Sequence, residues 1–119
     1  MATIYIPFYS RYGNVETMAK AVAEGVREAS AEPQLAFTGD VMTPAEVMQN
    51  DERWLATHQR LTAEYPLVSS EALAQADGAI LGSPTRFGNM AAQLKNFIDS
   101  LAGVWFSGAT IGKPAGTFT

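Results

Sequence analysis

The sequence predicts an α/β domain built on a parallel sheet, and three observations carry that prediction. Short runs rich in β-branched and aromatic residues alternate with segments of helical periodicity, the order that parallel sheets with crossover helices produce. Two of those runs, ending at Tyr9 and at Gly82, feed straight into turns containing Ser and Gly. A chain of 119 residues with 47% hydrophobic content suits one domain, spanning 1–119, with a real core.

The first run, Thr3-Ile4-Tyr5-Ile6-Pro7-Phe8-Tyr9, reads as a strand. Pro7 is its discordant member, because proline has no N–H for a sheet ladder. If the strand is central, one donor is lost on one side. A helix follows from about Asn14 to Ala29, with Val15, Met18, Ala19, Val22 and Val26 on its apolar face. Asn14 is the expected N-cap. Glu16 and Lys20 are spaced i,i+4, which is expected to place them on the wet face. Gln34 to Phe37 reads as a short second strand.

Residues 39–75 form an excursion too long for a plain connection, which suggests a functional or oligomeric role. Thr43-Pro44-Ala45-Glu46 reads as a helix start, with Thr43 as cap and Pro44 in the first helical position. Ser69-Ser70-Glu71-Ala72-Leu73 reads as another short capped helix. Between them, Trp54, His58, Leu61 and Tyr65 are scattered through polar sequence. His58 is the only histidine, with no second ligand nearby, so no metal is expected.

Ala79-Ile80-Leu81-Gly82 reads as a buried strand entering the loop Ser83-Pro84-Thr85-Arg86-Phe87-Gly88-Asn89-Met90. Met90, Leu94, Phe97, Ile98 and Leu101 then mark an amphipathic helix, expected to stop at Gly103. Residues 104–108 read as an aromatic loop, and residues 114–119 as a final strand.

In open parallel sheets, ligands bind beyond the strand C-terminal ends. That rule places the turn at 10–15, the loop at 83–90 and the aromatic loop at 104–108 at one end of the sheet. The turn at 10–15 joins a strand to a helix N-terminus, which offers unpaired N–H groups and a positive dipole end. With Gly13 at the sharp turn and a Ser10 hydroxyl, it reads as a phosphate cradle. It has neither the glycine spacing of a dinucleotide fingerprint nor the Gly-Lys-Ser/Thr of a P-loop. Taken alone, the turn reads first as an ordinary β–α connection, since many such turns bind nothing.

Composition narrows the partners. A net charge of −4 with no basic run argues against nucleic acid and anionic membranes. The absence of cysteine excludes disulfides and thiol catalysis. Pro7 and Arg11 interrupt the apolar start, so neither a signal peptide nor a membrane insertion is expected, and the expected compartment is the cytoplasm.

Three stretches resemble the WrbA-type NAD(P)H:quinone oxidoreductases, flavoproteins of flavodoxin-like fold. These are residues 10–19, from Ser10-Arg11-Tyr12-Gly13-Asn14-Val15 onward, residues 83–90, and Gly103-Val104-Trp105-Phe106-Ser107-Gly108. The likeness runs over nearly the whole chain. It implies FMN as cofactor, NAD(P)H as co-substrate, a quinone as substrate, and strand order 2-1-3-4 before a fifth strand. It further implies that Ser10, Arg11, Tyr12, Gly13, Asn14 and Val15 wrap the FMN phosphate, mainly through backbone N–H groups. Pro84, Thr85, Arg86, Phe87 and Gly88 would line the isoalloxazine. Tyr12 would contact the nicotinamide nucleotide, and Trp105 would face the quinone. No side chain is required as a general base; the flavin carries the chemistry. Homotetramers are the rule in such proteins.

The sequence departs from that pattern at Pro7, Arg11 and Asn14, where aliphatic, apolar and histidine residues are usual. Relatives of this type also continue past the fourth strand with a cofactor loop, a fifth strand and a last helix. The chain ending at Thr119 therefore reads as an incomplete form, expected to bind FMN more weakly than a longer one. The other readings are a one-electron flavodoxin-like carrier without reductase activity, and a folded but inert form. A phosphorylation receiver of similar topology is disfavoured, since no acidic pair follows the first strand.

Overall fold

The computed structural model describes residues 1–119. Its sheet has four parallel strands: β1 (Thr3–Phe8), β2 (Glu32–Phe37), β3 (Gly78–Gly82) and a last strand, Ala115–Phe118. Their order is β2-β1-β3-last, so β1 is central, as expected. The second strand starts two residues earlier than its sequence suggests.

Pro7 fits a central strand because its defect is confined to one side. The ladder with β2 is unbroken from Thr3↔Glu32 to Phe8↔Phe37. The ladder with β3 pairs Ile4, Tyr5 and Phe8 but skips Ile6 and Pro7. Thr3 and Tyr9 both direct backbone groups toward β3, so the alternation of the strand aims the missing N–H of Pro7 that way too. One lost donor costs roughly 1 kcal/mol.

Both faces of the sheet are covered. On one face, α1 (Asn14–Glu28) sets Val15, Ala19, Ala23 and Val26 against Ile6 and Phe8. On the other, Tyr5, Ala36 and Ala79 meet Leu73, Leu94 and Phe97. The alternation of β1 decides which side chain serves which core.

The excursion at 39–75 is helical. It holds α2 (Ala45–Gln49), α3 (Glu52–Glu64) and α4 (Ser70–Gln75). Ser69 caps α4 as expected, accepting from Ala72 N at 3.3 Å. At α2 the cap is Pro44 rather than Thr43, one residue later than read. α3 is a helix that residue patterning did not announce. It is capped by Asp51, whose carboxylate accepts from Trp54 N at 3.1 Å, and Leu61 anchors it in the α1 core.

Residues 83–90 form a hairpin rather than a plain loop: β4 (Thr85–Arg86) pairs antiparallel with β5 (Asn89–Met90). Two helices follow where one was expected. α5 (Ala92–Asp99) ends before Leu101, and α6 (Ala102–Ser107) contains Gly103 in its first turn. The stop is Gly108, at φ 70°. The expected aromatic loop is thus mostly helix. With the hairpin strands numbered, the last sheet strand, Ala115–Phe118, is β6.

Candidate functional site

The site is built where β1 and β3 end. β1 delivers Ser10 to the N-terminus of α1, where Ser10 works as an acceptor. Its Oγ accepts from Gly13 N at 3.0 Å and from Glu16 N at 3.3 Å. The hydroxyl therefore caps α1 from outside the helix, which leaves Asn14 as the first helical residue and not the N-cap. Gly13 occupies the cap position at φ 98°, a left-handed backbone that glycine adopts without a Cβ penalty.

What remains is a concave row of donors. The backbone N–H groups of Arg11, Tyr12, Asn14 and Val15 have no partner within the protein. Ser10, Arg11, Tyr12, Asn14 and Val15 line an open cleft of about 290 Å³ whose opposite wall is Pro84 and Arg86. A helix N-terminus presenting free N–H groups favours an anion, and the turn offers no acidic side chain to compete within the cleft. A phosphate group fits this donor set.

The hairpin wall is rigid at its base and strained at its tip. Ser83 Oγ accepts from Ala91 N at 2.8 Å and donates to Pro84 O at 2.8 Å, closing the base. At the tip Phe87 and Gly88 have φ of 52° and 78°, the paired left-handed residues of a type I′ turn. Phenylalanine is costly there, and the ring of Phe87 is fully exposed. Strain plus exposure at a loop tip is typical of a residue kept for contact rather than for stability. Thr85 reaches the other way, its Oγ1 3.2 Å from Thr119 Oγ1. A second open cleft lies on that side, between Pro84, Thr85, Gly88 and Phe118.

Helix α3 backs the turn at residues 10–15, a role that residue patterning did not show. The Arg11 guanidinium lies 4.0 Å from the centre of the Trp54 ring, and the Tyr12 hydroxyl donates to Asp51. Arg53 covers the Tyr12 ring at 4.9 Å. The hydrogen bond with Asp51 raises the Tyr12 phenol above its ordinary value and lowers the Asp51 carboxyl. Arg11 Nε and Trp54 Nε1 are the only buried side-chain nitrogens without a partner, and they belong to one stacked pair beside the turn.

Glu16 is buried, contrary to the wet-face expectation. It accepts from Arg60 Nη2 at 2.8 Å, Arg60 Nη1 at 3.0 Å and Tyr65 Oη at 2.8 Å, with Lys20 Nζ at 3.3 Å. These donors, Arg60 first, hold its carboxyl down to about 2. The i,i+4 signal with Lys20 was real, but the sequence could not show that α3 returns to cover it.

Trp105 does not join this site within its own chain. It sits exposed on α6, edge-on to Phe106, in a helix that packs against α4, and it borders a groove with Leu73, Ile98 and Leu101. No group of acidic or histidine side chains is arranged to hold a metal ion. No helix is long and apolar enough to cross a membrane.

Comparison with known proteins decides the family. Residues 10–119 match the family described as NADPH-dependent FMN reductase. The chain belongs to that family. Among curated relatives, it is 41% identical over 116 residues to an NAD(P)H dehydrogenase (quinone) of Geobacter metallireducens, covering 98% of this chain and 56% of that protein. It is 43% identical over 119 residues to an NAD(P)H dehydrogenase (quinone) of Rhodopseudomonas palustris, covering 100% and 56%. Among solved structures, a flavodoxin, WrbA-like protein from Agrobacterium tumefaciens superposes with TM-score 0.64 at 29% identity, over 100% of this chain and 59% of that one. The fold of this FMN reductase family member is therefore flavodoxin-like. The chain spans about half the length of the curated relatives it matches.

Proposed function

We propose that this chain is the FMN-phosphate-binding part of an NAD(P)H:quinone oxidoreductase. The observation that carries the reading is the row of unpartnered N–H groups at residues 11–15 facing the hairpin wall across one cleft. Ser10, Arg11, Tyr12, Gly13, Asn14 and Val15 would hold the phosphate, chiefly by backbone donors at the positive end of α1. Pro84, Thr85, Arg86, Phe87 and Gly88 would flank the ring system. FMN supplies the two-electron chemistry when bound, and the protein supplies binding and orientation.

Tyr12, 39% exposed at the rim and held by Asp51, is the residue we assign to the nicotinamide nucleotide. Trp105 would serve as a quinone wall only for a neighbouring copy, since it stands apart from the turn of its own chain. The exposed rings of Trp105 and Phe106 support an oligomer, with a homotetramer as our proposal. We propose the cytoplasm as its compartment, where the donor NAD(P)H is available, and we treat residues 1–119 as one domain. The alternative function is a flavin electron carrier. The exposed Tyr12 rim favours the reductase, because a carrier needs no nucleotide contact.

Titration of the purified chain with FMN, followed by quenching of flavin fluorescence, tests the reading. Saturable one-to-one quenching is expected, and its absence would remove the assignment. NAD(P)H oxidation with and without a benzoquinone acceptor then separates reductase from carrier.

A further inference from the structure

The excursion at 39–75 sends one cation directly behind the phosphate turn. A Cβ placed on Gly13 would lie 3.5 Å from Arg60 Nη2 and 3.9 Å from Glu16 Oε1. The Arg60–Glu16 pair is thus the layer beneath the residue at which the turn bends. Glu16 is itself part of the turn, since its N–H donates to Ser10 Oγ. Its carboxylate stands in the first turn of α1, the same positive region that a phosphate would use.

A carboxylate there has two opposed effects. It is stabilised by the helix N-terminus, but it also repels a dianion bound at the same helix end. The groups that face it are Arg60 from α3, Tyr65 just beyond α3 and Lys20 from α1. Glu64 shares the Arg60 guanidinium at 3.4 Å. Only Arg60 meets the carboxylate with a two-pronged contact, and only Arg60 lies against Gly13. Tyr65 adds no charge, and Lys20 is largely exposed.

We propose that Arg60 is a positioning residue for phosphate binding: by holding and neutralising Glu16, it keeps the N-terminus of α1 electrostatically open to a phosphate monoester. This rests on the FMN reading above. It assigns the excursion a task at the cofactor site, carried by a side chain that touches no ligand.

The two halves of the pair give opposite results under this proposal. Arg60→Leu leaves the carboxylate with only the exposed Lys20 as counter-charge, so the FMN Kd should rise about tenfold. Glu16→Gln removes the negative charge and leaves Arg60 paired only with the exposed Glu64, so FMN should bind about threefold more tightly. Riboflavin, which lacks the phosphate, should bind both variants as it binds the wild type. All three are read by flavin fluorescence quenching, with circular dichroism confirming the fold. Weakening by both substitutions, or equal changes for FMN and riboflavin, would make the pair a structural brace and overturn the proposal. If Arg60→Leu does not fold, the sign of the Glu16→Gln effect alone decides. Should the wild type fail to bind FMN, the functional reading and this inference both fall; normal wild-type binding with unchanged variants removes the inference only.

Discussion

Tyr9 donates its hydroxyl to Asp40 Oδ1 at 2.6 Å, joining the residue before the Ser10–Val15 turn to the connection that leaves β2. The Asp40 carboxylate is fully buried and has two further partners: Gln93 Nε2 at 3.2 Å and His58 Nδ1 at 3.0 Å. One carboxylate therefore ties the ends of β1 and β2 to α3 and α5. Burial, reinforced by Asp40, pushes the Tyr9 phenol well above its usual range, so it stays a donor.

Tyr9→Phe is expected to destabilise the fold by about 1–3 kcal/mol, because it strips a donor from a buried carboxylate while leaving the ring stacked on Phe37. Urea unfolding would measure it. Because Tyr9 precedes Ser10, the loss should also loosen FMN binding. A loss of stability with unchanged FMN affinity would show that the network does not reach the turn.

Glu16 sets an acid limb of stability. Its carboxyl is depressed to about 2 in the folded state by Arg60, with burial opposing and Tyr65 and Lys20 assisting. The unfolded chain takes up that proton first, so the stabilisation is complete above the ordinary value of 4.5 and drains away as pH falls toward 2. Its size is on the order of 2 kcal/mol, discounted because Arg60 is partly exposed. Unfolding free energies between pH 5 and pH 2 should fall less steeply in Glu16→Gln than in the wild type. Parallel slopes would mean that other carboxylates dominate acid unfolding.

The strands, α1 and the two loop motifs were legible because their signals are local. Apolar periodicity marked α1 and the helix beginning near Met90, and the Ser-Gly and Pro-Phe-Gly turns marked the ends of β1 and β3. What stayed hidden depends on contacts distant in sequence. α3 carries a weak apolar stripe, with Trp54 and Leu61 its only buried residues, so periodicity could not announce it. Glu16, read as exposed from its spacing to Lys20, is buried by residues 44 and 49 positions away. Asp40 gave no signal at all, since one aspartate in a polar stretch looks solvated. Gly103 misled because small residues are tolerated in the first turn of a short exposed helix such as α6. Trp105 was placed by the strand-end rule and given its quinone role by motif likeness, but it lies on α6 in the connection from α5 to the last strand, and no local pattern could show which end of the sheet that helix faces.

Gly13 tests the turn directly. Its Cβ would find only ordinary contacts, at 3.5 Å to Arg60 and 3.9 Å to Glu16, so space is not what demands glycine. The demand is the backbone, at φ 98°. Gly13→Val should therefore cost about 1–2 kcal/mol or more in stability through the left-handed penalty, amplified by branching at Cβ. If the chain relieves the strain by moving the turn, the donors at residues 11–15 lose their alignment. FMN affinity should then fall more than riboflavin affinity. A folded Gly13→Val protein with wild-type FMN affinity would move the phosphate elsewhere.

Phe87 offers the sharpest separation of stability from function. At the hairpin tip it takes a left-handed backbone that asparagine tolerates far better, and its ring has no packing to lose in the free protein. Phe87→Asn should stabilise the chain by on the order of 1 kcal/mol, raising Tm by about 4 °C. An apolar ring exposed to solvent at the hairpin tip nevertheless needs a reason, and the proposed one is contact with the planar part of the flavin. The same substitution should therefore weaken both FMN and riboflavin, in contrast to Arg60→Leu, which spares riboflavin. Thermal melts and the two titrations on one preparation decide the matter. If Tm rises and both affinities hold, Phe87 does not face the ring, and the exposed aromatic belongs to a contact between copies of the chain. If Tm falls, the hairpin is stabilised by the phenylalanine itself, and the strain argument fails.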